Sequence, residues 1–137
     1  MVPDQRIQVP PSCELTLGMT CMDKSEPGRT VWRMRADERF ANPAGIVQGG
    51  FIGAMADSAM GSATVTFARH AGRKVFSSNV EMKTSFLAPV RVGTVLECTA
   101  VVVSGGARVA FAEAEVVDGG GTVVARASST YLFTERD

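Results

Sequence analysis

Asp57 is the residue of this sequence best placed for chemistry, because it is a single carboxylate within an otherwise apolar segment. In that segment, Gly49 to Arg69, apolar residues recur at the three-and-four spacing of a helical face. These residues are Ile52, Met55, Ala56, Ala59, Met60, Ala63 and Phe67. One turn before and after Asp57 lie Gly53 and Gly61. A glycine inside a helix costs about 1 kcal/mol relative to alanine, so this pair predicts that something approaches closely there.

The segment before this helix predicts a site for negative charge at the helix N-terminus. Residues 40–50 form a predicted loop, because they contain a proline and three glycines, and the helix then opens on Gly49 and Gly50. Their free amides and the positive end of the helix dipole would stabilise an oxyanion. Such amides and a carboxylate two turns along are the two halves of an acyl-transfer or hydrolysis site. The alternative is that the glycines serve close packing and that a neighbouring strand or subunit satisfies Asp57.

Length and charge exclude several classes of partner. The sequence has 137 residues, which predicts one domain over residues 1–137 with a real core. Fourteen basic and fourteen acidic residues balance, and no basic run occurs, so nucleic acid and anionic membranes are not expected partners. We expect small-molecule chemistry. No signal-peptide pattern and no apolar run near ~20 residues is found, so the predicted location is the cytoplasm.

The cysteines and the histidine predict no metal site. Cys13, Cys21 and Cys98 lack Cys-x-x-Cys spacing, so we predict reduced and mostly buried thiols. His70 falls at the end of the predicted helix, where an imidazole suits the negative end of the dipole, and is predicted to be a surface residue.

Most of the remaining chain is predicted to form strands that position the helix. Residues 1–12 contain three prolines and are predicted to be a loosely docked arm. A first hairpin is predicted from residues 13–22 and 30–35, with a turn at 26–29. The alternating patterns after the helix predict four further strands, over residues 75–87, 93–104, 108–118 and 122–133.

Small residues on one face of the last two strands indicate where the helix packs. They are Ala110, Ala112, Ala114, Ala125, Ala127 and Ser129. Small side chains leave room for a bulky element, and the long helix is the only candidate. The predicted architecture is therefore an α+β fold, in which a curved antiparallel meander of about six strands holds one central helix.

Three motifs between residues 40 and 133 together carry a family resemblance. They are an Asn-x-x-Gly-x-x-x-Gly-Gly loop that enters a helix containing Ala-Asp, a strand that ends in aromatic-Leu-x-Pro-x-x-x-Gly, and two glycine-rich hairpins. With these motifs the sequence resembles the hotdog-fold acyl-CoA thioesterases of the phenylacetate-pathway (PaaI-like) type. The resemblance implies a homodimer or a dimer of dimers, in which subunits join their sheets edge to edge and the active site lies at the subunit seam.

The resemblance also implies roles for five residues. Asp57 matches the carboxylate that attacks the thioester or activates water, and Gly49 matches the glycine whose amide polarises the thioester carbonyl. Asn42 matches a loop amide side chain that positions the water or the carbonyl. Asn79 falls where some relatives place a Ser or Thr that orients the water, although a strand residue bonded between subunits is an equal alternative. Gln48 replaces the usual histidine of the family, and its amide could supply the same hydrogen bond.

The activity that the resemblance implies is hydrolysis of a small or medium acyl-CoA or aryl-CoA thioester, with no metal and no cofactor beyond the CoA of the substrate. Further residues expected to bind substrate are Gly50, Gly53, Gly61, Arg91 and Arg108. The two arginines would hold CoA phosphates, although arginines at turns are usually plain solvated charge. Asp57 is expected to have no structural role, and its action as nucleophile or as general base stays open.

Two other functions stay open at this point. One is an acyl-CoA-binding hotdog protein without turnover. The other is a hydratase, which would pair its Asp with a His, but the only histidine lies past the helix.

Overall fold

One antiparallel sheet and one long helix make up most of the structure. The computed structural model describes residues 12–136, so the predicted arm at residues 1–12 lies outside the described residues except for Ser12. The elements are α1 (Cys13–Leu17), β1 (Met19–Asp23), β2 (Arg29–Arg35), α2 (Gly49–His70), β3 (Val75–Phe86), β4 (Val95–Gly105), β5 (Val109–Val117) and β6 (Val123–Glu135). A short 3-10 helix, Glu38–Phe40, precedes the loop that leads into α2.

The strand order is β1-β2-β4-β5-β6-β3, which departs from the predicted meander at one place. β2 pairs with β4, and β3 lies at the far edge of the sheet, antiparallel to β6. The physical reason is the length of α2, since 22 residues of helix span about 33 Å and carry the chain across the sheet before β3 begins.

α2 forms where the apolar spacing predicts it, with one more residue at its C-terminal end. Six of the seven predicted inward residues are buried, and only Phe67 is partly exposed. His70 ends the helix and is exposed, as predicted. No helix within residues 12–136 combines the length and the apolar character needed to cross a membrane.

The face of the sheet that contacts α2 carries the small residues that the sequence indicates. Ala110, Ala112, Ala114, Ala125, Ala127 and Ser129 are all buried. Most of them belong to one core cluster with Met55, Ala59 and Met60 of α2. The helix therefore packs closely on β5 and β6 because their inward side chains are short.

Two predictions, one on residues 13–17 and one on the burial of the cysteines, are wrong. Residues 13–17 form the helix α1 and not a strand. Gly18 (φ 74°) ends this helix with a left-handed cap, so the strand β1 begins only at Met19. The cysteines are not mostly buried, since Cys13 is exposed, Cys21 is partly exposed and only Cys98 is buried.

The buried thiol of Cys98 is expected to make the free energy of unfolding depend on pH in the alkaline range. Burial raises the pKa of its thiol from 9.0 to about 12. Above about pH 9 the unfolded chain releases this proton while the folded chain keeps it, so the free energy of unfolding falls by up to about 1.4 kcal/mol per pH unit until about pH 12. We expect Cys98→Ala to show a shallower fall when denaturant unfolding is measured between about pH 8 and about pH 11.

The control for this prediction is Val116→Ala, which also truncates a buried strand residue. It should lower the free energy of unfolding equally at every pH, since it removes packing but no titrating group. Equal pH slopes for the wild type and Cys98→Ala would contradict the assignment to the thiol.

Candidate functional site

The carboxylate of Asp57 is held by two hydrogen-bond donors from the sheet. The Tyr131 phenol donates to Oδ1 at 2.7 Å, and Nδ2 of Asn79 donates to the same oxygen at 2.9 Å. The sheet register explains this convergence, because Asn79 on β3 lies directly opposite Tyr131 on β6. Within residues 12–136, Oδ2 of Asp57 has no hydrogen-bond partner. One carboxylate oxygen is thus bound by the protein and the other is not.

These contacts contradict the expectation that Asp57 has no structural role. Tyr131 is only 1% exposed, so its hydroxyl needs an acceptor inside the protein. The two glycines also differ in environment. A Cβ at Gly61 would lie 3.6 Å from Cε1 of Tyr131, whereas one at Gly53 would meet nothing within 4 Å. Tyr131 therefore passes Gly61 at an ordinary contact distance that does not require glycine there, and the space at Gly53 is open.

Asn79 connects three polar groups within one chain. Besides its bond to Asp57, Nδ2 lies 3.2 Å from Oγ of Ser129 and 3.4 Å from Oη of Tyr131. Its Oδ1 is buried and has no hydrogen-bond partner among residues 12–136. Asn79 therefore orients the carboxylate, and its carbonyl oxygen stays available as an acceptor.

A cavity of about 460 Å³ opens beside Asp57. Its size is within the range of small-molecule sites. Successive turns of α2 line it with hydroxyl groups, from Ser58, Ser62 and Thr66. Lys24 and Arg69 also line it. The cavity lining therefore mixes apolar groups with hydroxyls, and it includes two cationic side chains that the sequence analysis did not single out.

Tyr131, which binds the Asp57 carboxylate directly, was also not predicted from the sequence. Burial, and then its hydrogen bond to Asp57, raise the pKa of Tyr131 above its ordinary value, so the phenol is protonated at neutral pH and acts as a donor. A signal was present in the sequence. Tyr131 is the only tyrosine and continues the inward-facing run of Ala125, Ala127 and Ser129, and a phenol among small inward residues must find a hydrogen-bond partner.

Three other predicted site residues, Asn42, Gln48 and Gly49, meet at a second cavity of about 400 Å³, at the N-terminus of α2. Oδ1 of Asn42 accepts hydrogen bonds from the amides of Ala44 (2.9 Å) and Ile46 (3.1 Å), so this oxygen shapes the loop. Gln48 is exposed and its side chain does not cap the helix. The amide nitrogens of both side chains are therefore the groups with which this loop could bind a carbonyl oxygen.

The backbone of Gly49, at the N-terminus of the helix, lies against an aromatic ring. Neither the Gly49 nor the Gly50 N–H donates to a backbone acceptor outside the helix within the described residues. A Cβ at Gly49 would lie 2.9 Å from Cζ of Phe86, whose side chain is half-exposed. Glycine at this position therefore lets the Phe86 ring pack on the backbone, a contact that the sequence did not predict.

The two halves of the predicted site lie apart within one chain. Gly49 and Asp57 are eight residues apart, which corresponds to about 12 Å along the helix axis. They line different cavities, and no residue lines both. Gly49 and Asp57 of the same chain therefore cannot act on one carbonyl group.

Arg91 and Arg108 are both exposed, and neither lines the cavity at Asp57 or the one at Gly49. Arg91 pairs with Ile46 in an isolated bridge beside the second cavity. Arg108 follows the turn between β4 and β5, and its carbonyl oxygen accepts from the amide of Phe133. Their predicted contacts with CoA phosphates stay predictions, whereas Lys24 and Arg69 line the same cavity as Asp57.

The model of the thioesterase superfamily matches residues 44–125, which include α2 with Gly49 and Asp57, and Asn79 on β3. The chain belongs to this superfamily, and its six strands and central helix form the predicted hotdog fold. No curated protein matches the sequence.

Solved structures agree with this placement. PaaI of the phenylacetic acid degradation operon of Escherichia coli superposes with a TM-score of 0.81 at 21% identity, over 89% of this chain and 83% of that one. A mutant of the phenylacetic acid degradation protein PaaI of Thermus thermophilus gives 0.76 at 27% identity, over 87% and 96%. A hypothetical thioesterase of Streptococcus pneumoniae, solved with coenzyme A, gives 0.77 at 16% identity, over 86% and 87%.

Proposed function

We propose that the protein is an acyl-CoA thioesterase that hydrolyses a small or medium acyl-CoA or aryl-CoA to a carboxylic acid and CoA. The observation that carries the proposal is the environment of Asp57, a residue that lines a cavity. Two donors bind Oδ1 of its carboxylate, while Oδ2 has no hydrogen-bond partner in residues 12–136. Membership of the thioesterase superfamily and the pneumococcal neighbour with coenzyme A support the substrate class.

Two routes use this carboxylate, and neither needs a metal or a redox cofactor. As a general base, Asp57 takes a proton from water, the hydroxide adds to the thioester carbon, and the C–S bond breaks to release the CoA thiolate, which takes up the proton. As a nucleophile, Oδ2 adds to the carbonyl carbon, the thiolate leaves, and water hydrolyses the resulting anhydride. Either route develops negative charge on the carbonyl oxygen, which backbone amides would stabilise.

We propose that these amides come from a second copy of the chain. Gly49 lies too far from Asp57 of its own chain, so each site would combine Gly49 with Asp57 of the partner subunit. β3 is an edge strand with exposed apolar side chains at Phe76 and Val80, and an exposed edge of this kind favours pairing with another strand. We therefore expect a homodimer or a dimer of dimers, which light scattering at micromolar concentration would detect.

A panel of acyl-CoA and aryl-CoA thioesters, assayed by release of the free thiol, tests the proposal. For a substrate that is hydrolysed, a single turnover in H₂¹⁸O then tests for the nucleophilic route. Label in the Asp57 carboxylate requires the nucleophilic route, whereas label only in the product acid fits attack of water on the acyl carbon. Binding of CoA without turnover of any panel member would favour an acyl-CoA-binding protein instead.

A further inference from the structure

Tyr131 reaches from the sheet to α2 and meets Asp57 at two atoms. Its Oη lies 2.7 Å from Oδ1 of Asp57 and 3.0 Å from the backbone oxygen of the same residue. A phenol has one hydrogen, and bonds to ionised acceptors are the shorter and stronger ones. The hydroxyl hydrogen therefore points to the carboxylate.

The position of the phenol is fixed on both sides. Tyr131 is fully buried, and its ring passes Gly61, where a Cβ would lie at the ordinary contact distance of 3.6 Å from Cε1 of the ring. Asn79, which lies opposite Tyr131 in the sheet, donates to the same oxygen of Asp57. Two donors anchored in neighbouring strands thus set both the place and the rotation of one carboxylate.

We propose that Tyr131 is a positioning residue, which binds Oδ1 of Asp57 and so leaves Oδ2 as the one oxygen that reacts. The proposal rests on the proposed thioesterase function and extends it to a residue outside the predicted set. The phenol keeps its proton at neutral pH, so it donates to the carboxylate throughout the reaction and takes no proton from water. It acts on the substrate only through Asp57.

Tyr131→Phe, which removes only the hydroxyl, tests this role. We expect kcat to fall about 10-fold to 100-fold, because loss of alignment slows the chemical step, while KM stays within about twofold. The matched control is Thr30→Val. The Thr30 hydroxyl is buried and donates to the carbonyl oxygen of Ala59 on α2 at 2.8 Å, so its removal also cuts one bond between the sheet and the helix without touching Asp57. This variant should keep kcat within about twofold of the wild type.

A purely structural role for Tyr131 would give another pattern. Equal losses of kcat in Tyr131→Phe and Thr30→Val, or an unchanged kcat in Tyr131→Phe, would overturn the proposal. A raised KM with an unchanged kcat would also overturn it, because that result indicates direct contact with the substrate.

A second measurement needs no activity. The sequence has one tyrosine, so a ¹³Cζ-tyrosine label gives one NMR signal. We expect Asp57→Asn to shift this signal, because it exchanges a charged acceptor for a neutral one, and Thr30→Val to leave it in place. No shift in Asp57→Asn would overturn the proposal even if the enzyme is active. If no acyl-CoA is hydrolysed, the proposed function and the positioning role fail together. A shift of the tyrosine signal in Asp57→Asn would then show that the hydrogen bond between Tyr131 and Asp57 exists but is only structural.

Discussion

Asp57→Asn is expected to lower kcat by at least about 100-fold, the lower end of what a positioned base contributes. The substitution keeps the shape of the side chain and removes the charge, so the residue can neither accept a proton from water nor attack a thioester. Substrate binding should change little, because the loss concerns the chemical step. Steady-state assays with the best substrate of the acyl-CoA panel would measure both parameters.

The hydrogen bonds of Asp57 make the asparagine variant a better test than alanine. Asparagine retains an oxygen that can accept from Tyr131, whereas Asp57→Ala leaves the donors of Tyr131 and Asn79 without this acceptor. In Asp57→Ala the Tyr131 hydroxyl keeps the backbone oxygen of residue 57 as an acceptor, and Asn79 keeps Ser129. Each lost hydrogen bond still costs about 0.5–1.5 kcal/mol, so Asp57→Ala should unfold at lower denaturant concentration than Asp57→Asn. Activity of Asp57→Asn above about a hundredth of wild type would remove this carboxylate from the mechanism.

Gly49→Pro is expected to lower kcat by about 100-fold to 1,000-fold, the usual effect of removing one oxyanion donor. Proline has no N–H, and it is well tolerated at the first position of a helix, which Gly49 occupies. The preceding Gln48 has φ −64° and ψ 131°, an extended conformation that suits a residue before proline. The variant should therefore fold and still lack the amide.

Gly49→Ala is the matched control, because it keeps the N–H and adds the same Cβ against the ring of Phe86. Phe86 is half-exposed and can move aside in both variants, so the difference between them isolates the amide. We expect Gly49→Ala to keep most of the wild-type kcat. Equal losses in the two variants would assign the effect to displacement of Phe86 and not to an oxyanion donor.

Mixing the two inactive variants tests whether a site combines residues of two subunits. In a hybrid dimer of Gly49→Pro and Asp57→Asn chains, a shared arrangement leaves one site with an intact amide and an intact carboxylate. Random reassembly of equal amounts should then restore about a quarter of the wild-type activity. If each site lay within one chain, every site would lack one group and mixing would restore nothing.

Local patterns in the sequence determined the parts of this protein that depend on neighbouring residues. The apolar three-and-four spacing placed α2 to within one residue, and the alternation of small residues identified the sheet face that contacts it. The placement of Asp57 between Gly53 and Gly61 could be predicted for the same reason, since residues four apart lie on the same face of a helix. The loop from Asn42 to Gly49 was visible because glycine and proline mark turns locally.

Only the tertiary structure decided which groups meet at Asp57. The partners of its carboxylate come from β3 and β6, and Tyr131 is 74 residues away in the chain, so their meeting depends on the position of β3 at the edge beside β6 and on the register of that pair. A shift of one residue would turn either side chain to the other face of the sheet. The separation of Gly49 from Asp57 into two cavities, and the ring of Phe86 on Gly49, also depend on packing between distant segments, which local periodicity does not encode.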